Sequence, residues 1–315
     1  MSLNVIKAGI SCSVQDLGRF GNQHKGITTG GAMDEYAHRW ANKLLGNNPS
    51  TPTIELLYGL ASFQFTATTS FALTGADLNA QLNGTPIKPW RSYKASKGDT
   101  LSFGAARCGL YAYIAMPSLH CPTQLNSAAT VTRDRLGGLN TNGTVLQAGD
   151  TIQAAQAVSR GTQTPTSLIP AYLQQTNSER LSKQQPQTIE FIPGYQNADF
   201  SEQARSTFTS KNYEVANEIS RMGYMLNGEA ITPPAIEYPS EPIALGSIQI
   251  TNSGQPIVLM RDKQTVGGYP KIGCISRLSL GKLAQCPPGA QVRFSEISTD
   301  EARTKLGAML SIFEG

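Results

Sequence analysis

Apolar and polar positions alternate in short runs along most of this chain, and a period of two predicts β-strands. Ala61, Phe63 and Phe65 alternate with polar neighbours, and Leu78, Ala80 and Leu82 repeat the pattern. Asn83-Gly84 follows, and both residues tolerate positive φ, so a tight hairpin turn is expected there. Leu101 and Phe103 come after Gly98-Asp99, and residues 109–116 form a continuous apolar run suited to a buried strand. Gly137-Gly138 and Asn142-Gly143 mark further turns. Strand signals return at residues 188–192, at Ile248 and Ile250, and at Ile257 and Leu259 around a turn at Asn252-Ser253-Gly254. Pro288-Gly289 then leads into Val292 and Phe294.

The period changes to 3.6 in two places. Met33, Ala37, Trp40, Ala41 and Leu44 make one apolar face, Asp34 is placed to cap it, and Gly46-Asn47 ends it. Near the C-terminus Ser298 and Glu301 stand in capping-box spacing ahead of Ala302, Leu306, Met309 and Phe313. Residues 157–187 are rich in Gln, Thr, Ser and Pro and read as a connection with a short helix near 171–175. The expected architecture is mainly β. An N-terminal β domain covers 1–160 with the Gly-Gly loop and its helix. A connecting segment covers 161–187, and a C-terminal β domain covers 188–315 with the terminal helix.

Composition narrows the function. Of 315 residues 15% are charged, and the net charge of +4 comes without a Lys/Arg stripe interleaved with aromatics, which argues against nucleic acid. No apolar run approaches the roughly 18–20 residues of a membrane span, and no secretory leader is recognisable. The 5 cysteines are scattered without a C-x-x-C pair, so reduced thiols in a cytoplasmic protein are expected. With 3 histidines a zinc site has little to draw on, and no metal is expected. P-loop, Rossmann and Ser–His–Asp signatures are missing from the sequence.

Four stretches carry candidate chemistry. Gly30 and Gly31 precede Asp34 at a helix start, where free N–H groups and the positive dipole end suit a carboxylate, phosphate or carbamate. Asp16 and Arg19 flank Gly18, where they would pair locally or orient a polar substrate. In Ser220-Arg221-Met222-Gly223-Tyr224, Arg221 would face an anion and Tyr224 would donate a hydrogen bond. Gln264, Thr265, Gly267, Gly268 and Tyr269 form a polar run whose uncharged amide and hydroxyl suit a urea-like or lactam amide. Tyr269-Pro270 suggests a rigid turn, with a cis bond as one option.

Ser13-Val14-Gln15-Asp16-Leu17-Gly18-Arg19, the Gly26–Asp34 loop and Gln264-Thr265-Val266-Gly267-Gly268-Tyr269-Pro270-Lys271-Ile272-Gly273 together resemble the biotin-dependent carboxyltransferase family, also called allophanate hydrolase subunit 2. The resemblance spans nearly the whole chain, roughly residues 3 to 300. This sequence departs from the pattern at Met225, Val266 and Pro242, where members usually carry a basic residue, a second Thr and a Gly.

The resemblance implies cyclophilin-like barrels. It implies a C-type subunit of an ATP-dependent 5-oxoprolinase, opening 5-oxo-L-proline to L-glutamate with a B-type, KipI-like subunit and an A-type, LamB/YcsF-like subunit. Such a chain would be a hydrolase subunit, inactive alone. It would bind no cofactor itself, with ATP used by the complex. Two alternatives follow from the same family. One is the carboxyltransferase component of a urea carboxylase, where biotin would arrive on another chain. The other is a non-catalytic regulator that binds a histidine-kinase inhibitor.

Overall fold

The computed structural model describes residues 1–157, 162–183 and 185–314. The expected domain boundary at 160/161 lies outside the described residues. The chain divides into two compact units, one of Met1–Phe20 and Thr29–Asn177, the other of Gly21–Thr28 and Ser178–Gly315.

The first unit holds strands β1 (Ser2–Ala8), β2 (Ser11–Gln15), β3 (Thr53–Leu57), β4 (Ala61–Phe65), β5 (Thr69–Asp77), β6 (Ala80–Leu82), β7 (Thr85–Pro86), β8 (Arg91–Ala95), β9 (Thr100–Phe103), β10 (Cys108–Ala115) and β11 (Thr151–Gln153). They form a six-stranded sheet in the order β11-β1-β4-β9-β6-β7 and a five-stranded sheet in the order β2-β3-β10-β5-β8. Both strand periods seen in the sequence have a physical place here. The alternating β4 buries Ala61, Phe63 and Phe65, whereas the apolar β10 is buried along its whole length. Phe63, Phe65, Phe71 and Phe103 meet in the core between these strands. Asn83 and Gly84, with φ of 52° and 80°, make the hairpin turn between β6 and β7. Helix α1 (Glu35–Lys43) packs on β5 and β10. Asp34 caps it, accepting from the Ala37 amide at 3.1 Å, and Gly46 at φ 70° ends it.

The second unit begins with α2 (Asn177–Lys183), whose first residue belongs to the unit before it. It continues with β12 (Gln187–Pro193), α3 (Glu202–Ser210), β13 (Asn212–Ile219), β14 (Gly223–Asn227), β15 (Glu241–Pro242), β16 (Ser247–Ile250), β17 (Pro256–Leu259), β18 (Val266–Gly267), β19 (Lys271–Ile275), α4 (Arg277–Ala284), β20 (Gln291–Glu296) and α5 (Thr299–Ser311). Seven strands close into a barrel in the order β12-β19-β16-β17-β14-β13-β20, with β20 returning parallel to β12. Phe191, Phe208, Tyr213 and Phe294 fill one end, and Phe208 stacks on Phe294 at 4.3 Å. The strands β15 and β18 stand apart as a two-stranded pair.

The fold is thus mainly β, with one closed barrel and one unit of two sheets. Near residues 171–175 the chain makes a 3-10 turn at Ala171–Leu173. No cis peptide occurs among the described residues, so Tyr269-Pro270 is trans. All five cysteines are free thiols, four of them buried. Among the described residues no helix is long and apolar enough to cross a membrane.

Candidate functional site

In the first unit, the residues expected to bind a ligand are engaged with their own chain. The Asp16 carboxylate accepts from the Gly18 amide at 2.8 Å, the Ser127 hydroxyl at 2.7 Å and the Ala128 amide at 2.7 Å. The Arg19 guanidinium, 1% exposed, donates to the Ala129 carbonyl at 2.7 Å and to the Ser127 carbonyl at 3.4 Å. The expected local pair is replaced by two separate grips on the segment 124–129, which lies against both side chains.

The glycines are required for the same close packing. A Cβ on Gly31 (φ 94°) would lie 2.9 Å from the backbone of Leu17 and Gly18, and one on Gly30 would lie 2.7 Å from Val131. The backbone that the Gly-Gly pair allows in is the protein's own.

The N-terminus of α1 is filled from within as well. Asp34 caps it, Glu35 occupies its first turn, and buried Glu55 accepts from the Met33 amide at 2.8 Å. Tyr113 donates to Glu55 at 2.8 Å and accepts from the Asp34 amide at 2.7 Å. Asp34, Glu35 and Glu55 thus place three carboxylates at one helix start, where they complement its dipole, and Glu35 is also paired with Arg39 at 2.8 Å. Glu55 and Tyr113 were invisible in the sequence, because strand residues 58 positions apart meet only in the folded sheet. Asn42, a polar position on α1 that solvent alone would explain, is buried and donates to the Thr51 carbonyl at 2.8 Å.

In the second unit Arg221 does face an anion, and it is Asp262: the guanidinium makes two bonds of 2.9 Å to its carboxylate. Tyr224 does donate, but from inside the barrel, to the Ala284 carbonyl at the end of α4 at 3.0 Å. Both residues tie elements of the barrel together. Thr28, at the front of the Gly26–Asp34 loop, belongs to this unit and donates to the Lys263 carbonyl at 2.8 Å and the Arg261 carbonyl at 3.3 Å.

The remaining motif, Gln264 to Tyr269, reaches a more open setting. Gln264 and Thr265 are half-buried, and the Thr265 carbonyl accepts from the Ile243 amide at 2.9 Å. Val266–Gly267 pairs with Glu241–Pro242. The Gly267-Gly268 pair allows close approach to that neighbouring segment. A Cβ on Gly267 would lie 2.6 Å from Ile243 and 3.1 Å from Gln249 Nε2, and one on Gly268 would lie 3.2 Å from the Tyr238 carbonyl. Tyr269 is exposed and, with Tyr238, Gly268 and Pro270, borders a cleft of about 540 Å³.

Beside this pair lies a polar cluster that sequence reasoning missed. The Glu241 carboxylate is ion-paired with Lys271, accepts from the Tyr195 hydroxyl, and accepts from Gln196 Nε2 at 2.8 Å. Gln196 Oε1 accepts from the Lys271 amide at 2.7 Å, and Asn197 donates to the Ile272 carbonyl at 2.9 Å. The 3-10 turn Tyr195–Asp199 is thereby latched to the start of β19. Lys271 is a register partner of Gln249 on β16, so their side chains share a face. The Lys271 ammonium, with help from Tyr195, holds the Glu241 carboxyl below its usual range. The Glu241 hydrogen bond in turn raises the Tyr195 phenol. Partial burial and a 2.8 Å bond to Asp199 push Tyr238 up to about 12.

At neutral pH the cluster therefore presents an ionised carboxylate, an ammonium, amide donors and neutral phenols. Lys271 stood within the Gln264–Gly273 motif, and Glu241 stands directly before Pro242, one of the departures from the family pattern. Tyr195, Gln196 and Gln249 gave no local signal, because the 3-10 turn and two barrel strands bring them together. Among the described residues no group of three or more His, Cys, Asp or Glu could hold a metal ion.

One unit is thus a closed barrel with a Gly-Gly-Tyr-Pro loop beside a two-stranded pair, and the other carries the Gly-Gly-Ala-Met-Asp loop. Residues 25–296 match the family described as carboxyltransferase domain, subdomain A and B, and the chain belongs to that family. It is 32% identical over 302 residues to the C subunit of 5-oxoprolinase from Haemophilus influenzae, covering 95% of this chain and 93% of that protein. The same named protein of Escherichia coli is 30% identical over 307 residues with the same coverage of both. Urea amidolyase of Lachancea kluyveri is 28% identical over 321 residues, and there the chain spans 17% of the relative's length. Among solved structures, TTHA0988 superposes with a TM-score of 0.80 at 30% identity, over 93% of this chain and 55% of that one. The Kluyveromyces lactis urea carboxylase superposes at 0.87 and 24% identity, over 99% and 29% respectively, a likeness of fold.

Proposed function

We propose that this chain is the C-type subunit of an ATP-dependent 5-oxoprolinase, acting in the cytoplasm with A- and B-type partners to open 5-oxo-L-proline to L-glutamate. The observation that carries this reading is the match to the C subunit of 5-oxoprolinase, which runs through 95% of this chain and 93% of the relative. The cluster at Glu241, Lys271 and Gln196 supports it, since its charged and amide groups fit a small polar lactam. Gly267, Gly268, Tyr269, Gln264 and Thr265 form the border of that site in this reading. ATP is used by the assembled complex. The B-type partner is of the kinase-inhibitor type and the A-type partner completes the enzyme. The test is co-expression with candidate A- and B-type chains, followed by an assay of ATP-dependent glutamate release from 5-oxoproline. Failure of the three chains to co-purify or to turn over refutes the reading.

The similarity to urea amidolyase favours a second reading, the carboxyltransferase half of a urea-carboxylating enzyme. In that case biotin arrives on another chain. Transfer of a carboxyl group from carboxybiotin to urea by the same mixture would favour it.

A further inference from the structure

A buried donor in the barrel has no acceptor. Gln249 is 2% exposed, and its Nε2 has no hydrogen-bond partner among the described residues. A buried amide left unpaired is costly, so an unfilled donor beside polar neighbours points to a ligand atom. Its neighbours give that atom a chemistry. Lys271 stands opposite Gln249 in register, and its ammonium, which carries three N–H bonds, is paired with Glu241. Gln249 Nε2 lies 3.1 Å from where a Cβ on Gly267 would stand, and Gly267 is the register partner of Glu241, so both donors lie on the side of one carboxylate.

That carboxylate is shared by Tyr195 and Gln196 Nε2. Tyr195 is 74% exposed, so its ring gains little from packing, and its hydroxyl is held by Glu241 and by Gln196 Nε2 at 2.9 Å. A ligand N–H that takes its place exchanges one hydrogen bond to the carboxylate for another. Glu241 is partly open to solvent, which gives a ligand a way in.

We propose that Glu241, Lys271 and Gln249 form a subsite for a cyclic amide, with Glu241 accepting the ligand N–H, Lys271 and Gln249 donating to its carbonyl oxygen, and Tyr195 as the placeholder the ligand displaces. A ring amide is cis, so its N–H and C=O lie side by side on one edge. That edge matches an adjoining carboxylate and ammonium. The neighbouring Tyr238–Tyr269 cleft would take the rest of the ring. The choice of a lactam rests on the function proposed above, but the subsite is tested separately from it.

The experiment is calorimetric titration of the purified full-length chain with 2-pyrrolidinone, 5-oxo-L-proline and N-methyl-2-pyrrolidinone. The two N–H lactams should bind and the N-methyl compound should not. Gln249→Leu and Glu241→Gln should each weaken binding about tenfold or more, the worth of one hydrogen bond to a charged or buried partner. Tyr195→Phe should tighten binding, because it removes the competing donor. That variant alters an exposed side chain, so it keeps the test alive if either of the other two variants fails to fold.

Equal binding of the N-methyl lactam, weaker binding by Tyr195→Phe, or no lactam binding at tens of millimolar overturns the subsite. Lactam binding as described, in a chain whose assembled complex does not open 5-oxoproline, keeps the subsite and refutes the proposed function. Turnover of 5-oxoproline with KM unchanged in Gln249→Leu and Tyr195→Phe does the reverse.

Discussion

Arg19 shows how far a single side chain can differ from its local reading. Its guanidinium lies under the Gly30 loop and satisfies carbonyls of the 124–129 segment, which Asp16 grips from the other side. Arg19→Ala would leave buried carbonyls unpaired and a void where the side chain packed. Each effect is worth about 1–3 kcal/mol. The expected outcome in scanning calorimetry is a fall in melting temperature of about 4–24 °C, since a domain of this size loses roughly 2–4 °C per kcal/mol. A variant that melts within a degree of the parent would show the grip to be dispensable.

His38 makes a second prediction, this time about pH. It is buried on α1 with Nδ1 2.9 Å from the Thr53 hydroxyl, and desolvation lowers its pKa to about 4. The folded chain thus holds it neutral where the unfolded chain, near 6.5, takes up a proton. Between those values the unfolded state binds more protons, so stability rises with pH. It should be intact above about 6.5 and drain away as pH falls toward 4, by up to the order of 3 kcal/mol. Urea midpoints from pH 7 to 4.5 measure the slope. His38→Gln should flatten it, and an equal slope in that variant would assign the acid sensitivity elsewhere.

At the scale of elements, the sequence announced those that close locally. Asp34 and Gly46 bound α1, Asn83-Gly84 turns β6 into β7, and the Ser298–Glu301 capping box starts α5 with both of its reciprocal bonds in place. Helices α3 and α4 went unread although Ser201 and Ser276 cap them. Their apolar faces, Ala204 with Phe208 and Leu280 with Leu283, are short and borrow their meaning from the barrel they cover. The candidate site divides in the same way. Its loop, residues 264–269, could be read from chemistry along the chain. Gln196 and Gln249 could not, because the cluster of Gln196, Glu241, Gln249 and Lys271 is assembled from four separate elements. Capping can be tested in isolation. Ser298→Ala removes the acceptor for the Glu301 amide at 3.1 Å and should cost about 1 kcal/mol. Amide exchange should quicken in the first turn of α5 and stay unchanged in β20. Faster exchange throughout the barrel would mean that α5 is integral to it.

At the scale of the molecule, the question is whether this chain can do chemistry alone. Opening a lactam with ATP requires a cradle for phosphate and a means of activating a carbonyl. The sequence holds no G-x-x-x-x-G-K-[ST] loop. The Gly-Gly entry to α1 already carries Asp34, Glu35 and Glu55, which complement the dipole of that helix. The cluster at Glu241 has groups suited to holding an amide, and its Lys271 ammonium is already paired with the Glu241 carboxylate. Binding without activation is therefore the expected property of the isolated chain. Purified alone with ATP and 5-oxoproline, it should release no glutamate above background in a coupled assay. The same preparation should restore turnover when added to A- and B-type partners that are inactive without it. ATP-dependent glutamate release by the single chain would refute this division of labour. Full turnover by the A- and B-type pair without it would leave the chain a regulator.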